Sequence, residues 1–282
     1  MRSLSRLFVI VFVLTGATEA FSQSFYAIRR ERSLIGYVGI GSANYFGELN
    51  NPDKFLSVPK YSLNVGLEHF LTNRISARVE ATWFQLSGSD NIPNESHKPR
   101  NLSFVSNNVE GNITGTFNLL PNGRRFYQRP GINFYGFAGI GFVVINPKTE
   151  YNGEMVALQP LQTEGVKYGK FQPVIPFGAG MKLKVGPFFN LALEGGMRKT
   201  FTDYLDDVSS RNYPDPATLS SDLARALSNR SPDGSVVIRG NPETKDWYFL
   251  MTAKIQYYLP YDLSTIRRNK LYTQKRKYNR RR

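Results

Sequence analysis

The constraint that most limits what this chain can fold into is a strict two-residue alternation in which one set of positions is hydrocarbon and the other contains full charges. In the stretch 61–70, Tyr61, Leu63, Val65 and Leu67 alternate with Ser62, Asn64, Gly66 and Glu68. The next run repeats the pattern, with Ile75, Ala77, Val79, Ala81 and Trp83 set against Ser76, Arg78, Glu80 and Thr82. A period of two becomes two separate faces only in an extended strand. One face is greasy and the other ionic.

The N-terminal residues indicate the compartment. Arg2 and Arg6 precede an apolar run over 7–14 and then small and polar residues, the layout of a secretory signal peptide, with cleavage after Ala20 or Ser22. No other stretch approaches the roughly 20 apolar residues that a membrane helix needs. The sequence contains no cysteine, so disulfides, thiolate metal sites and cysteine nucleophiles do not arise.

Eight strands are expected, over 34–46, 60–70, 74–86, 104–119, 131–145, 173–185, 187–201 and 246–259. Each matches or exceeds the roughly 9 to 11 residues of a tilted membrane strand. Their connections alternate in length. Strands two and three are joined around 71–73 and strands six and seven by Gly186-Pro187, whereas 47–59, 88–101, 146–172 and 202–245 are long. Short turns at one end and long loops at the other predict an all-β, antiparallel eight-stranded transmembrane barrel with periplasmic turns and long extracellular loops. An open sheet edge in lipid would strand its backbone groups, so the sheet must close. The connection 120–130 falls on the short side, yet carries Arg124, Arg125 and Arg129, and reads as a basic periplasmic loop.

Parity then assigns an inward set: Glu68, Arg78, Glu80, Glu110, Lys182, Lys184, Glu194, Arg198 and Lys254, five cations against four anions. A register slip of one residue would turn all of them to lipid, where each Arg or Lys near the midplane costs about 2 to 4 kcal/mol. A barrel of eight strands has an interior just wide enough for side chains. A filled, non-conducting lumen is therefore expected. Strands one and five are less regular. Gly39, Gly41, Gly136, Gly139 and Gly141 leave parity hard to read, Tyr135 and Phe137 compete with Phe134, Ile140 and Phe142 for the outward face, and a bulge or sharp bend is the expected cause. Tyr61, Trp83 and Trp247 near outer strand ends, and Tyr257 and Tyr258 near an inner end, fit interfacial girdles.

The loops hold the candidates for chemistry. Asp215-Pro216 followed by Leu219, Leu223 and Leu227 predicts a capped amphipathic helix packed on the barrel rim. The segments 155–158 and 235–238 are candidates for strand extensions above the membrane. Asp203, Asp206 and Asp207 with Tyr204 form the one dense acidic motif, but their spacing lacks the ligand ladder of a calcium loop, so hydrogen bonding at the barrel mouth is the expectation. His69 falls on the outward parity near an inner strand end, as an interfacial ring. His97 with Asp90, Ser87, Ser89 and Ser96 is a conceivable hydrolase constellation of the kind found in lipid A-modifying barrels, and ranks behind non-enzymatic readings. No cofactor is expected. The Gly-x-Gly pairs lie inside strands, which removes a nucleotide fingerprint.

The net charge of +14 is concentrated at one end. Arg267, Arg268, Lys270, Lys275, Arg276, Lys277, Arg280, Arg281 and Arg282 carry nine of these charges with no acid among them, and removing them leaves +5. With an even strand count this tail is periplasmic, where nucleic acid is absent. Anionic headgroups or an acidic protein are its available partners. Arg29, Arg30 and Arg32 precede the first strand on the same side and, with the loop at 124–129, would make that whole face positive. The expected organisation is a signal peptide over 1–22, a periplasmic segment over 23–33, the barrel over 34–260 and the basic tail over 261–282.

Four stretches carry a resemblance. Ser42-Ala43-Asn44-Tyr45-Phe46-Gly47-Glu48-Leu49, Gly136-Phe137-Ala138-Gly139-Ile140-Gly141, Pro176-Phe177-Gly178-Ala179-Gly180-Met181-Lys182 and Phe201-Thr202-Asp203-Tyr204-Leu205-Asp206-Asp207-Val208-Ser209 resemble a family of small outer-membrane barrels that includes PorG, the barrel component of the type IX protein secretion system. Where that family usually has Gly-Asp-Leu, this chain has Gly47-Glu48-Leu49. The resemblance implies a non-catalytic subunit that links the outer membrane to a periplasmic ring of partner proteins. It brings no active-site residues and no small-molecule substrate. The alternative expectation is a structural or adhesive envelope barrel of the OmpA-like kind.

Overall fold

The computed structural model describes residues 32–47, 49, 60–90, 100–123, 125–231, 239–241 and 245–260. The expected signal peptide, Arg29, Arg30, Arg124, the extension at 235–238 and the basic tail from Arg267 to Arg282 lie outside them.

Eight long strands form the wall: β1 (Leu34–Phe46), β2 (Lys60–Phe70), β3 (Ile75–Ser89), β4 (Ser103–Asn118), β5 (Ile132–Val144), β8 (Phe171–Val185), β9 (Phe189–Thr200) and β10 (Trp247–Tyr258). Two short strands, β6 (Pro147–Tyr151) and β7 (Glu154–Ala157), make a hairpin in the loop between β5 and β8. Every wall strand pairs antiparallel with its two neighbours, and the β1–β10 ladder closes the ring. The result is a closed eight-stranded antiparallel barrel. No helix among the described residues is long and apolar enough to cross a membrane; crossing falls to the strands.

Parity sets the two faces as the sequence required. Outward Val38 and Ile40 are 59% and 66% exposed and Ile140 69%, whereas inward Glu68, Arg78, Glu80 and Glu110 are at most 2% exposed. An apolar belt around the entire barrel far exceeds the few hundred Å² of apolar patch that a water-soluble monomer tolerates. Hydrocarbon is the medium in which this surface is stable.

Strands one and five correct an expectation. Every residue pair of β1 with β10 and with β2 keeps one constant register, and so do the pairs of β5 with β4 and with β8. There is no bulge. Tyr135 and Phe137 point inward and are buried, leaving Phe134, Ile140 and Phe142 outward. The inward glycines receive them: a side chain at Gly180 would collide with the Tyr135 ring, one at Gly196 with Phe137 and one at Gly66 with Tyr37. Large rings and missing side chains interlock across the lumen.

The short turns are tight. Gly186, between β8 and β9, has a φ of +67°, which a side chain would strain. Between β2 and β3, the Thr72 hydroxyl accepts from the backbone N–H groups of Arg74 and Ile75. At the loop end β3 and β4 extend further than expected, pairing up to Ser89 with Ser103. The single helix expected after Asp215 is split. Asp215 caps a 3₁₀ turn over Pro216–Thr218, and a separate helix α1 (Asp222–Ser228) starts at Ser221, whose hydroxyl accepts from Ala224 N–H at 3.1 Å. Leu227 is buried against the rim.

Candidate functional site

The interior is built in tiers along the barrel axis. In the lower half, three carboxylates meet three cations. Lys182 pairs with Glu68 at 2.7 Å, Arg78 with Glu194 at 2.5 Å, and Lys254 bridges Glu194 and Glu80 at 2.8 and 2.6 Å. Hydroxyls complete the carboxylates: Tyr37 donates to Glu80, Tyr135 to Glu194 and Ser76 to Glu68. The rings Phe137, Tyr135 and Tyr37 lie against Arg78, Lys182 and Lys254 respectively. Each buried charge therefore has both a counter-charge and hydrogen bonds, the condition for burying it at all. Above this tier Arg198 pairs with Glu110 at 3.6 Å, and Glu110 accepts from Tyr248 at 2.6 Å and from Asn112 at 2.7 Å.

One member of the expected lumen set is not there. Lys184 is exposed at the short-turn end, its ammonium bonded to the Tyr127 carbonyl at 2.7 Å. It lies one inward position beyond Lys182, where the wall has ended.

The short-turn mouth is closed by the connection between β4 and β5. A 3₁₀ turn over Phe126–Gln128 puts Phe126 against Ile35, Tyr258 and Phe188. Arg129 donates to Asn190 at 2.6 Å and to the carbonyls of Phe126, Gly186, Pro187 and Phe189, and lies over the Tyr258 ring. Burial pulls its pKa down from the ordinary arginine value. Arg32 is buried too, stacked on Phe188 and donating to the Tyr258 carbonyl at 2.6 Å. These placements overturn two expectations. Arg32 and Arg129 hold the mouth shut instead of presenting charge to a partner, and Tyr258 is a lumen residue instead of a girdle residue. His69, near the same end, meets the Ser33 carbonyl at 3.2 Å.

The loop end is closed by a second core. Tyr45, Phe84, Phe104, Val143, Val174, Tyr248 and Leu250 from the wall pack with Leu158, Leu205, Val208 and Leu227 from the loops. Over it sits a buried polar cap. Asp206 accepts from Tyr45 at 2.7 Å and from Val208 N–H, and Asp246 accepts from Tyr45 and Leu205 N–H. Asp207 accepts from Tyr168 at 2.6 Å and from Thr163. Glu164 binds Arg239 and the N–H groups of Ser209 and Ser210. Asp90 holds Arg100 through both its oxygens and also accepts from Leu102 N–H.

Burial pushes Asp207 up to about 6, against the pull of Thr163, Tyr168 and Arg239. Burial also pushes Asp203 up to about 6; no hydrogen bond reaches either of its oxygens among the described residues, although Ser209, Lys245 and Glu164 face it. Asp206 and Asp207 thus serve separate partners, and no group of described carboxylates and histidines converges on a metal position. The Asp90 carboxylate of the hydrolase constellation is occupied by Arg100; Ser96 and His97 lie outside the described residues.

Sequence reasoning missed the sealing devices: Phe126, Arg129 and Arg32 below, and Asp90–Arg100 and Glu164–Arg239 above. One signal was available. The adjacent rings Phe126 and Tyr127 in a basic connection are out of place in a solvent loop.

No protein-family model matches the chain, and no curated relative does. Solved structures of small outer-membrane barrels are similar in fold. Neisserial surface protein A is 9% identical, with 80% of this chain and 97% of that chain covered and a TM-score of 0.42. Ail, the attachment invasion locus protein of Yersinia pestis, is 10% identical over 80% of this chain and 98% of that one, at 0.40. The outer membrane enzyme PagL is 11% identical over 80% and 99%, at 0.33. At such distances the likeness is one of fold and extends to no residue role.

Proposed function

We propose that the protein is a non-catalytic outer-membrane barrel that works through its two rims and not through its lumen, as a structural or anchoring component of the envelope. The observation that supports this is the continuity of the seal. From Phe126 and Arg129 through the ionic tier to the Asp206–Asp207 cap, the described interior is filled by packed rings, paired charges and hydrogen-bonded carboxylates. Short turns and both described chain ends share one rim, since Leu259 N–H bonds Leu34 O. We assign that rim to the periplasm and the long loops to the exterior. The anchor would then offer a periplasmic face to protein partners and a rigid cap to the outside.

The more specific form of this reading is a subunit of type IX secretion, tying a periplasmic ring to the membrane. Its support is the sequence resemblance alone. The motif that carries it most strongly, 201–209, builds the buried cap, so a shared motif there accounts for a shared architecture whatever the task. Gene deletion separates the readings. Loss of export of many cargo proteins is the outcome of the secretion reading; normal export with altered adhesion or envelope integrity is that of a general envelope barrel. Truncation after Leu259 should weaken recovery of periplasmic partners if the basic tail docks them, and unchanged recovery removes that role.

A further inference from the structure

Parity leaves one anomaly on the lipid-facing wall. Across the eight wall strands the outward positions hold a single Lys, Arg, Asp or Glu, and it is Lys199 of β9. It lies inside the ladder near the loop end, between Ile175 of β8 and Trp247 of β10. Its neighbours are aromatic. The Trp247 and Phe177 rings meet edge to face at 6.1 Å across β9, and the Lys199 ammonium lies 5.7 Å from the centroid of the Trp247 ring. Phe201, the next outward residue of the chain, is 53% exposed. The wall thus carries an aromatic patch open to lipid with one cation among its rings.

The cations that point inward, Arg78, Lys182, Arg198 and Lys254, each have a carboxylate. Lys199 has none. It is exposed, and among the described residues no carboxylate or carbonyl engages its ammonium. Lys245, one outward position beyond Trp247, is placed differently, since it faces Asp203. Snorkelling carries the lysine head to the interface but supplies no counter-charge. A second copy of the barrel cannot supply one through its wall either, because the outward face holds no carboxylate. The anion that reaches a lipid-facing position is the headgroup of a lipid, and an ammonium beside interfacial rings is complementary to a phosphate at the depth of Trp247.

We propose that Lys199, flanked by Trp247 and Phe177, binds a phosphate of lipid A in the exterior leaflet, the acyl region lying along the apolar wall towards the short turns. The choice of lipid A rests on the orientation proposed above; the phosphate does not. The test is native mass spectrometry of the full-length barrel in detergent, titrated in turn with diphosphoryl lipid A, dephosphorylated lipid A and phosphatidylglycerol. The wild type should retain diphosphoryl lipid A with about fivefold preference over the dephosphorylated form. Lys199→Gln should abolish that preference and leave retention of dephosphorylated lipid A unchanged, and Lys199→Arg should keep it. Heat-modifiable gel mobility checks that each variant is folded. No preference in the wild type, or a preference that persists in folded Lys199→Gln, would overturn the site; equal retention of phosphatidylglycerol would overturn its assignment to lipid A. Orientation is read separately, by labelling single cysteines in intact cells with an impermeant reagent. Labelling of Lys167→Cys in a long loop with protection of Asn73→Cys in a short turn supports it. The reverse pattern puts Lys199 in the periplasmic leaflet and overturns lipid A as the occupant, even where Lys199→Gln loses its preference for phosphate.

Discussion

At the scale of single residues, Glu194 carries the most. It receives Arg78, Lys254 and Tyr135, so Glu194→Gln leaves two cations facing Glu80 alone. Breaking a buried pair from one side costs about 3 to 5 kcal/mol. We expect a loss of that order in the urea midpoint of the barrel in lipid vesicles, and partial recovery when Arg78→Met is added, since neighbours in one network are not additive. Asp207 makes a prediction of opposite character. Its folded value near 6 lies above the unfolded value of 3.8, so between these limits the folded protein binds more protons than the unfolded chain. Stability contributed by this group is therefore complete below about pH 4 and is lost as pH rises through 6. Arg239 and the Thr163 and Tyr168 hydroxyls temper the shift and Glu164 adds to it. The thermal midpoint in detergent should rise between pH 7.5 and 5, and Asp207→Asn should show a smaller rise, with Asp203 supplying the remainder. A midpoint that falls on acidification would contradict this account of the cap.

At the scale of elements, the connection between β4 and β5 behaves as a stopper held by one arginine. Arg129→Ala removes donors to four carbonyls and to Asn190; limited proteolysis at 120–131 should quicken several-fold while the barrel keeps its heat-modifiable mobility. Undiminished resistance would show that Phe126 packing alone holds the loop. This element marks where the sequence stops being legible. Wall strands could be read because lipid enforces alternation at each position: β1 and β2 keep the bounds that parity gives, and a slip would cost a row of charges. Inward tyrosines defeated the same logic, because a lumen accepts an aromatic ring wherever the facing strand supplies a glycine, as Gly180 does for Tyr135. Loop placement depends on partners distant in sequence. Arg129 finds Asn190 and Arg239 finds Glu164, pairings that no local pattern encodes. Even Lys184 was assigned inward correctly by parity and wrongly by environment, because alternation says nothing of where the wall ends.

At the scale of the whole molecule, closure is redundant, and this redundancy can be tested. The stopper below, the ionic tier in the middle and the aromatic and aspartate cap above each fill the bore independently. Wild-type protein in planar bilayers should show no large, stable openings. Phe126→Ser combined with Arg129→Ala should loosen the stopper yet leave the membrane silent, because Arg78, Lys182 and Lys254 remain locked to their carboxylates above it. Conductance should require a second lesion in the ionic tier, such as Glu194→Gln, which frees charge and admits water along the axis. If the double variant of the stopper alone conducts, the tier is wet and permeable, and the stopper becomes a gate. Porin-sized steps from the unmodified protein would go further, by making the lumen a pathway and removing the basis for a barrel that works through its rims.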